Sequence, residues 1–431
     1  MSKSNITGFL NLSPWMYYVL VVIIGVMPLF YKLGEPVVSI WDESRRAVNA
    51  YEMQENGDAL VTHFDGEPEM WGTKPPLLIW MQSLSMKLFG VGEWALRFPA
   101  ALAGLLLGFL LVWFSGYYTK SFLWGLTAVL VLYTTQGYIA LHSVRTGDFD
   151  SVLILFTTAA SFFFFLAVEA DEKKEKNRFI LLFFAALTLA ALTKGIAAFL
   201  MGPAWLLYLL LRKDLFNWLK NRNLWVGIAL LLVFFGGYYL LREIRNPGYF
   251  SAVLENEVTG RYFDTLEENQ KPFYYYVHML YLVRFKPWFY LIPLGLLLGY
   301  FSRDNRIRKS LVYLLVLTFV YLLIISFGKT KLAWYDLQVY PFLALMCGAF
   351  FIAVINALVH SEWIKKSYNR LVPVLILAGC VQLKTEPIKI EPIYIEITVN
   401  HRVQKELDDV FRDIDAASET ADFSPVDSRD K

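Results

Sequence analysis

Long apolar runs separated by polar segments dominate this chain. Most runs are about 15 to 23 residues long, the length at which a helix crosses a hydrocarbon layer of about 30 Å. The pattern therefore predicts an all-α polytopic membrane protein with about 11 transmembrane helices. The predicted spans are 14–32, 94–114, 122–141, 151–168, 179–193, 196–211, 224–241, 286–301, 310–327, 336–358 and 371–383.

Two of these runs, 179–193 and 371–383, are short for a perpendicular crossing, and a short apolar run can instead be buried or re-entrant. Residues 1–383 form the predicted membrane domain. The tail, 384–431, alternates in the manner of a strand and then shows one apolar helical face, which predicts a small βα appendage. Its side of the membrane depends on whether 371–383 spans.

Charged residues divide the loops into two classes. The loops at 169–178, 212–223, 302–309 and 359–370 are short, and each carries three or four cations. This is the distribution typical of cytoplasmic loops. The alternate segments, including the long first loop at 33–93, mix acids, bases and aromatic residues. We therefore expect the chemistry on the outer face, with juxtamembrane helices and the catalytic motif in the first loop.

The composition agrees with a membrane protein and excludes an ordinary soluble one. Hydrophobic residues make up 56% of the chain and aromatic residues 17%. The net charge of +2 says nothing about nucleic acid, because the position of the charges along the chain matters more, and we expect no nucleic-acid partner. The two cysteines, Cys347 and Cys380, lie in apolar runs and indicate no disulfide framework.

The polar stretch 40–78 holds the first candidate site. Asp42 and Glu43 begin a predicted helix that stops at Asn56-Gly57. Acids in a first turn are favoured by the helix dipole, but a carboxylate here could equally act as a general base. Arg46 could neutralise a phosphate or anchor the loop at lipid headgroups.

Lysines at membrane level suggest an anionic substrate. Lys74 is held by two prolines before an apolar helix and suits a phosphate as a point charge, although prolines at a helix start are ordinary. Lys194 is a cation between two apolar runs, and Lys331 lies in a later loop of the same predicted face. These cations suit a lipid phosphate presented from the bilayer.

The short loop 142–151 crowds four ionisable groups into a turn. We expect Asp148 or Asp150 to be functional, and His142 to be a hydrogen-bonded interfacial residue rather than a metal ligand. The sequence contains no His, Cys and Glu cluster with the spacing of a metal site, so we predict no metal.

Taken in order, the motifs resemble a known family. A first span is followed by an acidic DE pair, a KPP motif, a TxD-type loop, an LTKG turn, a KPFYYY loop and a KTKLxxY segment. Over about residues 10–355 this order resembles the membrane glycosyltransferases of GT-C fold, in the branch of the protein O-mannosyltransferases and the lipid A aminoarabinose transferase.

The resemblance implies an inverting transfer of a sugar from a polyprenyl monophosphate to a lipid or protein acceptor, with no cofactor. It implies Asp42 as the catalytic base with Glu43 as its partner, and Lys74 and Arg261 at the carrier phosphate. The second-loop acid falls on Asp148 or Asp150. Further expected substrate contacts are Arg46, Lys194, Lys331 and Tyr335.

One departure concerns the sugar. The aminoarabinose transferase has glutamate before the KPP-type lysine, and this chain has Thr73. We therefore do not assume that this chain uses the same sugar, or a metal bound by such a glutamate. We expect a bacterial inner-membrane enzyme acting on lipid A, another envelope glycan or a protein. A transporter or flippase of polyprenyl-linked lipids is the alternative, which the one-sided loops and lack of visible repeats argue against.

Overall fold

The computed structural model of the protein describes residues 12–139, 142–257, 271–302 and 304–360. Within these ranges the chain is helical apart from loops and one short hairpin, β1 (His63–Phe64) and β2 (Glu67–Pro68). The helices of the first half are α1 (Pro14–Phe30), α2 (Asp42–Asn56), α3 (Leu77–Phe89), α4 (Glu93–Phe114), α5 (Phe122–Tyr133), α6 (Gln136–Ile139), α7 (Asp150–Glu169) and α8 (Lys173–Lys194). The later helices are α9 (Gly202–Leu211), α10 (Leu215–Leu219), α11 (Arg222–Leu231), α12 (Gly237–Arg245), α13 (Tyr249–Val253), α14 (Tyr275–Met279), α15 (Leu291–Tyr300), α16 (Asn305–Phe327) and α17 (Tyr340–His360). The predicted all-α class is confirmed.

Among the described residues, six helical segments are long and apolar enough to cross a membrane. They are Glu93–Thr119, Asp150–Glu169, Lys173–Phe199, Arg222–Arg245, Asn305–Phe327 and Ala333–Leu358. Each overlaps one predicted span. Three further predicted spans correspond to the shorter apolar helices α1, α5 and α9. Residues 371–383 and the predicted βα tail lie outside the described residues.

Three predicted boundaries are wrong. The span predicted at 179–193 belongs to a longer helix, because its first turns are built from lysine and glutamate, which are polar but good helix formers. The run predicted to start at 196 begins with a 3₁₀ turn, Gly195–Phe199, and α9 starts only at Gly202. The run predicted at 286–301 is one arm of a pair, Tyr275–Arg284 and Trp288–Tyr300, bent by 115°.

Close packing of the helices depends on small residues and on aromatic side chains that donate hydrogen bonds. A side chain at Gly295 of α15 would collide with the carbonyl oxygen of Met346 in α17, so glycine lets these two backbones approach. The indole nitrogen of Trp124 in α5 donates to the Leu345 carbonyl of α17 at 2.8 Å. In α5, the Tyr133 hydroxyl donates to the Gly104 carbonyl of α4 at 2.9 Å. Such bonds satisfy polar groups that would otherwise be costly inside an apolar core.

The first loop is a folded unit. Its helix α2 has the predicted bounds: acids occupy its first turn, and Gly57 ends it in the left-handed conformation, with φ of 69°. The hairpin, which the sequence did not indicate, pairs His63 with Pro68 and Phe64 with Glu67. The Trp80 indole of α3 donates to the Ala59 carbonyl at 2.7 Å, which ties α3 back onto the loop.

Glu169 joins several helices at the far end of α7. Its carboxylate lies 2.9 Å from Arg212 and 2.6 Å from Lys309, and it accepts a hydrogen bond from Tyr208 at 3.1 Å. The Glu169 side chain is only 2% exposed. The opposite end of the same helix begins at Asp150, in the region described next.

Candidate active site

Asp42, Arg46, His142 and Asp148, here called the Asp42 cluster, come together from two loops. Arg46 Nη2 donates to Asp42 Oδ1 at 3.1 Å, and Arg46 Nη1 lies 3.2 Å from Asp148 Oδ1. His142 Nδ1 lies 3.3 Å from Asp148 Oδ2 and 3.8 Å from Asp42 Oδ2. Asp148 is buried, whereas the Asp42 side chain is 48% exposed. The cluster therefore presents one carboxylate, Asp42, to incoming molecules.

The His142 ring is fixed by a third segment. It stacks on the Trp334 indole with ring centroids 3.6 Å apart and an interplanar angle of 12°. The His142 backbone has φ of 62°, an uncommon value for a residue with a side chain. The stack and this backbone conformation aim the imidazole at the two carboxylates.

Cations around Asp42 keep it ionised. Burial raises the pKa of Asp42, but the charges of Arg46, His142 and Lys74 outweigh burial and lower it to about 2. The carboxylate is therefore charged throughout the physiological pH range.

Glu43, the neighbour of Asp42, lies in a different environment. Its two oxygens accept from Arg97 at 2.7 and 3.0 Å and from the backbone N–H groups of Ser39 and Gly147 at 2.8 and 2.7 Å. Burial raises the pKa of Glu43, but these donors outweigh it and hold the pKa below its usual value. Glu43 thus joins the first loop, α4 and the second loop, and we interpret it as a residue that positions Asp42.

Lys74 is placed beside the cluster by the turn before α3. Its Nζ lies 3.1 Å from Glu257 Oε1, and Thr73 Oγ1 lies 3.5 Å from the same oxygen. The Phe149 ring is a shared surface for two cations, with Arg46 at 4.6 Å and Lys74 at 5.9 Å from its centroid. These contacts link the KPP-type motif to the second loop and to the segment that follows α13.

Two cavities adjoin this region. The first, here called the Asp42 cavity, is lined by Asp42, Arg45, Arg46, Asn49, Trp71, Gly72, Lys74, Phe149 and Asn256. The second, here called the Lys194 cavity, is more apolar. Among its lining residues are Leu153, Ile196, Leu200, Ile325, Asp150, Lys194, Glu257 and Tyr335. Lys74 lines the first cavity and its partner Glu257 the second.

The two aspartates of the second loop are separated by the fold. Asp148 belongs to the Asp42 cluster, whereas Asp150 forms a buried ion pair with Lys194 at 2.6 Å. This pair lies in the wall of the Lys194 cavity. The Tyr335 ring is 6.0 Å from Lys194 Nζ, so this predicted site residue lies with Asp150 rather than with Asp42.

Lys331, another predicted residue, contacts its own loop: its Nζ donates to the Gly328 carbonyl at 2.6 Å, and burial lowers its pKa. Arg261 lies outside the described residues. In the first loop, Arg45 pairs with Glu69 at 2.5 Å.

The fold also brings three possible metal ligands together. One ligand atom each from Asp42, His142 and Asp148 lies within 4.8 Å of the others. Sequence spacing did not indicate this group, because its members come from separate loops. Arg46 contacts the Oδ1 atoms of both carboxylates, whereas His142 faces their Oδ2 atoms, so a divalent cation bound by these three residues would lie on the Oδ2 side and take the place of the His142 contacts.

Comparisons with known proteins agree with this architecture. Residues 73–239 match the family model of dolichyl-phosphate-mannose-protein mannosyltransferases. An undecaprenyl phosphate-alpha-4-amino-4-deoxy-L-arabinose arabinosyl transferase of Aeromonas salmonicida is 30% identical, over 74% of this chain and 58% of the relative. An uncharacterized protein of Aquifex aeolicus is 28% identical, over 81% of this chain and 65% of the relative. The chain thus spans less than two thirds of the length of either relative.

Solved structures show the same fold. ArnT from Cupriavidus metallidurans bound to undecaprenyl phosphate superposes with a TM-score of 0.66 at 21% identity, covering 85% of this chain and 64% of ArnT. The chain has the fold of the GT-C membrane glycosyltransferases. An Archaeoglobus fulgidus oligosaccharyltransferase is a more distant GT-C neighbour, with a TM-score of 0.52 at 13% identity over 86% of this chain and 55% of that one. The family resemblance read from the sequence is confirmed.

The sequence did not indicate several residues of the candidate site. Arg97, Glu257 and Trp334 were not predicted, and His142 was expected only as an interfacial residue. Of these residues, only Arg97 could have been found from the sequence. It is an arginine in the second turn of an apolar helix, where an unpaired charge is costly, so a buried partner was to be expected. The family match begins at Thr73, so it includes Lys74 but not Asp42.

Proposed function

We propose that this chain transfers a sugar from a polyprenyl monophosphate to an acceptor at the outer face of the bacterial inner membrane. The observation that carries the proposal is the Asp42 cavity, which is lined by both an ionised carboxylate and Lys74. Cleavage of a glycosyl phosphate requires stabilisation of the departing phosphate and a base for the attacking group. A lysine and a carboxylate on one cavity can supply both.

In this mechanism Lys74 binds the donor phosphate at the boundary between the two cavities. The sugar extends into the polar Asp42 cavity, and the first isoprene units occupy the apolar wall of the Lys194 cavity. Asp42 accepts the proton of the acceptor as it attacks the anomeric carbon from the side opposite the phosphate. The configuration at that carbon is therefore inverted, without a covalent enzyme intermediate. Arg261 is the second phosphate ligand that the family motif implies.

The placement of the chemistry on the outer face rests on the loop charges. The cation-rich short loops indicate the cytoplasmic side, and the first loop with Asp42 alternates with them. The acceptor we propose is lipid A, another envelope glycan or a protein. The relatives support a lipid-linked donor, since one is named for an undecaprenyl phosphate-linked sugar and the family model for a dolichyl phosphate-linked one.

Transfer by the purified protein tests this function. The protein is reconstituted in liposomes with undecaprenyl phosphate carrying labelled mannose or 4-amino-4-deoxy-arabinose, together with lipid A or acceptor peptides. We expect label to reach an acceptor with the wild type and not with Asp42→Asn, while both proteins elute and melt alike. Movement of labelled lipid across the bilayer without transfer would instead support a flippase, and full activity of Asp42→Asn would remove Asp42 as the base.

A further inference from the structure

We infer that Glu257 is an exchange ligand of Lys74, which gives way to the donor phosphate and returns to expel the product phosphate. The inference rests on the proposed function and assigns to it a residue that neither the motifs nor the family comparison indicated. Glu257 Oε1 lies 3.1 Å from Lys74 Nζ, and the side chains of this pair are 9% and 14% exposed. The carboxylate thus lies against the lysine proposed to bind the phosphate.

The ion pair separates the two cavities. Lys74 lines the Asp42 cavity and Glu257 lines the Lys194 cavity. The preceding residue, Asn256, is anchored on the first loop, because its side-chain amide donates to the carbonyl of Met70 at 3.2 Å. A lipid with its sugar in one cavity and its chain in the other must pass through the position of this pair.

A carboxylate and a phosphate cannot share this lysine without cost. Like charges a few ångströms apart repel strongly in a poorly hydrated site, so binding of the donor phosphate requires Glu257 to move away. The glycosyl donor is a phosphodiester with one negative charge. The product is a phosphomonoester whose second ionisation makes it more strongly bound to a lysine. Competition from Glu257 therefore matters most at product release.

Neutralising Glu257, which competes with the phosphate for Lys74, should change the affinity for undecaprenyl phosphate and the turnover rate in opposite directions. In Glu257→Gln we expect undecaprenyl phosphate to bind about tenfold more tightly, since the phosphate no longer competes with the Glu257 carboxylate for the lysine. Single-turnover transfer should keep its rate, while steady-state kcat should fall and inhibition by added undecaprenyl phosphate should strengthen. If Glu257 had a merely structural role, its substitution would not raise the affinity for the product, undecaprenyl phosphate.

Matched variants make the result specific. Glu35→Gln removes another lysine–glutamate pair, Lys32–Glu35 at 2.9 Å, which is exposed, and it should change neither affinity nor turnover. In a Lys74→Met background, Glu257→Gln should no longer raise affinity, because the group for which the anions compete is gone.

A labelling measurement on the wild type needs no variant. Carbodiimide coupling of a small amine to Glu257, followed by mass spectrometry, should increase when undecaprenyl phosphate is added. If the wild type binds undecaprenyl phosphate but neither Glu257→Gln affinity nor Glu257 labelling changes, the exchange is wrong and the proposed function stands. If the wild type does not bind this lipid at all, the proposed function fails and the exchange with it.

Discussion

Replacing Glu43 by glutamine tests whether this acid positions the site or takes part in the chemistry. The Arg97 guanidinium makes five hydrogen bonds: two to Glu43, and one each to the carbonyls of Leu33, Pro36 and Val37 at 3.0, 2.6 and 3.0 Å. The side chains of Glu43 and Arg97 are 0% and 2% exposed. Removing one partner of so enclosed a pair leaves the other charge without compensation.

The contacts set the magnitude. Each oxygen of Glu43 accepts two N–H groups, one from Arg97 and one from the backbone of Ser39 or Gly147. Glutamine keeps one oxygen, and its amide group would face two donors. Two buried donors without partners cost about 1–3 kcal/mol each, which agrees with about 3–5 kcal/mol for breaking a buried ion pair. We expect Glu43→Gln to lose about this much free energy of unfolding.

Unfolding in detergent, followed by intrinsic fluorescence, measures this loss, with Asp42→Asn as the matched control. Asp42 is the sequence neighbour of Glu43 but is half exposed, so the Asp42→Asn variant should unfold like the wild type and yet lack transfer.

The folded-state pKa of Glu43 is lowered, so its stabilisation is present above the ordinary glutamate pKa of about 4.3 and is lost as the pH falls below that value. The difference between Glu43→Gln and wild type should therefore shrink in acid. A Glu43→Gln protein of wild-type stability without transfer activity would refute the positioning role.

Two further predictions concern the Asp42 cluster. Arg46→Gln removes a hydrogen bond and a cation that lower the pKa of Asp42, so this pKa should rise from about 2. The acid limb of the kcat/KM profile should then move to higher pH, and an unmoved limb would contradict the role of Arg46. Because Arg46 already neutralises both carboxylates of the possible metal group, extensive chelation should leave the transfer rate unchanged. Loss of activity that added Mn²⁺ or Zn²⁺ restores would show instead that Asp42, His142 and Asp148 hold a metal.

Local signals in the sequence were sufficient for parts of the fold. Helix α2 could be placed to the residue, because acids at its start and Asn56-Gly57 at its end act through nearby backbone groups. The predicted span began too late for α8, because its first turns are polar and a search for apolar runs excludes them. Lysine and glutamate nevertheless favour a helix. The 115° bend between Arg284 and Trp288 lies within residues that are apolar on both sides, so the hydrophobic pattern there does not distinguish a bend from a straight span.

The sequence named some residues of the candidate site but not how they pair. The motif order pointed to Asp42 and Lys74, whereas their partners are distant in the chain. The Lys74–Glu257 contact spans 183 residues and the Glu43–Arg97 contact 54. Such contacts follow from helix packing, which periodicity does not encode. The same packing places Asp148 in the Asp42 cluster and Asp150 in the wall of the Lys194 cavity, a distinction that their separation of two residues in the sequence does not show.

The buried Glu169 hub has a mechanical consequence. Helix α7 has 20 residues, so Asp150 and Glu169 lie about 28 Å apart along its axis. Because Glu169 ties that end to Arg212 and Lys309, α7 can act as a lever with its fulcrum at Glu169. A tilt of about 5° about that point displaces the Asp150 end by about 2.4 Å. A displacement of α7 about this anchored end would therefore be largest at the Asp150–Lys194 pair, in the wall of the Lys194 cavity.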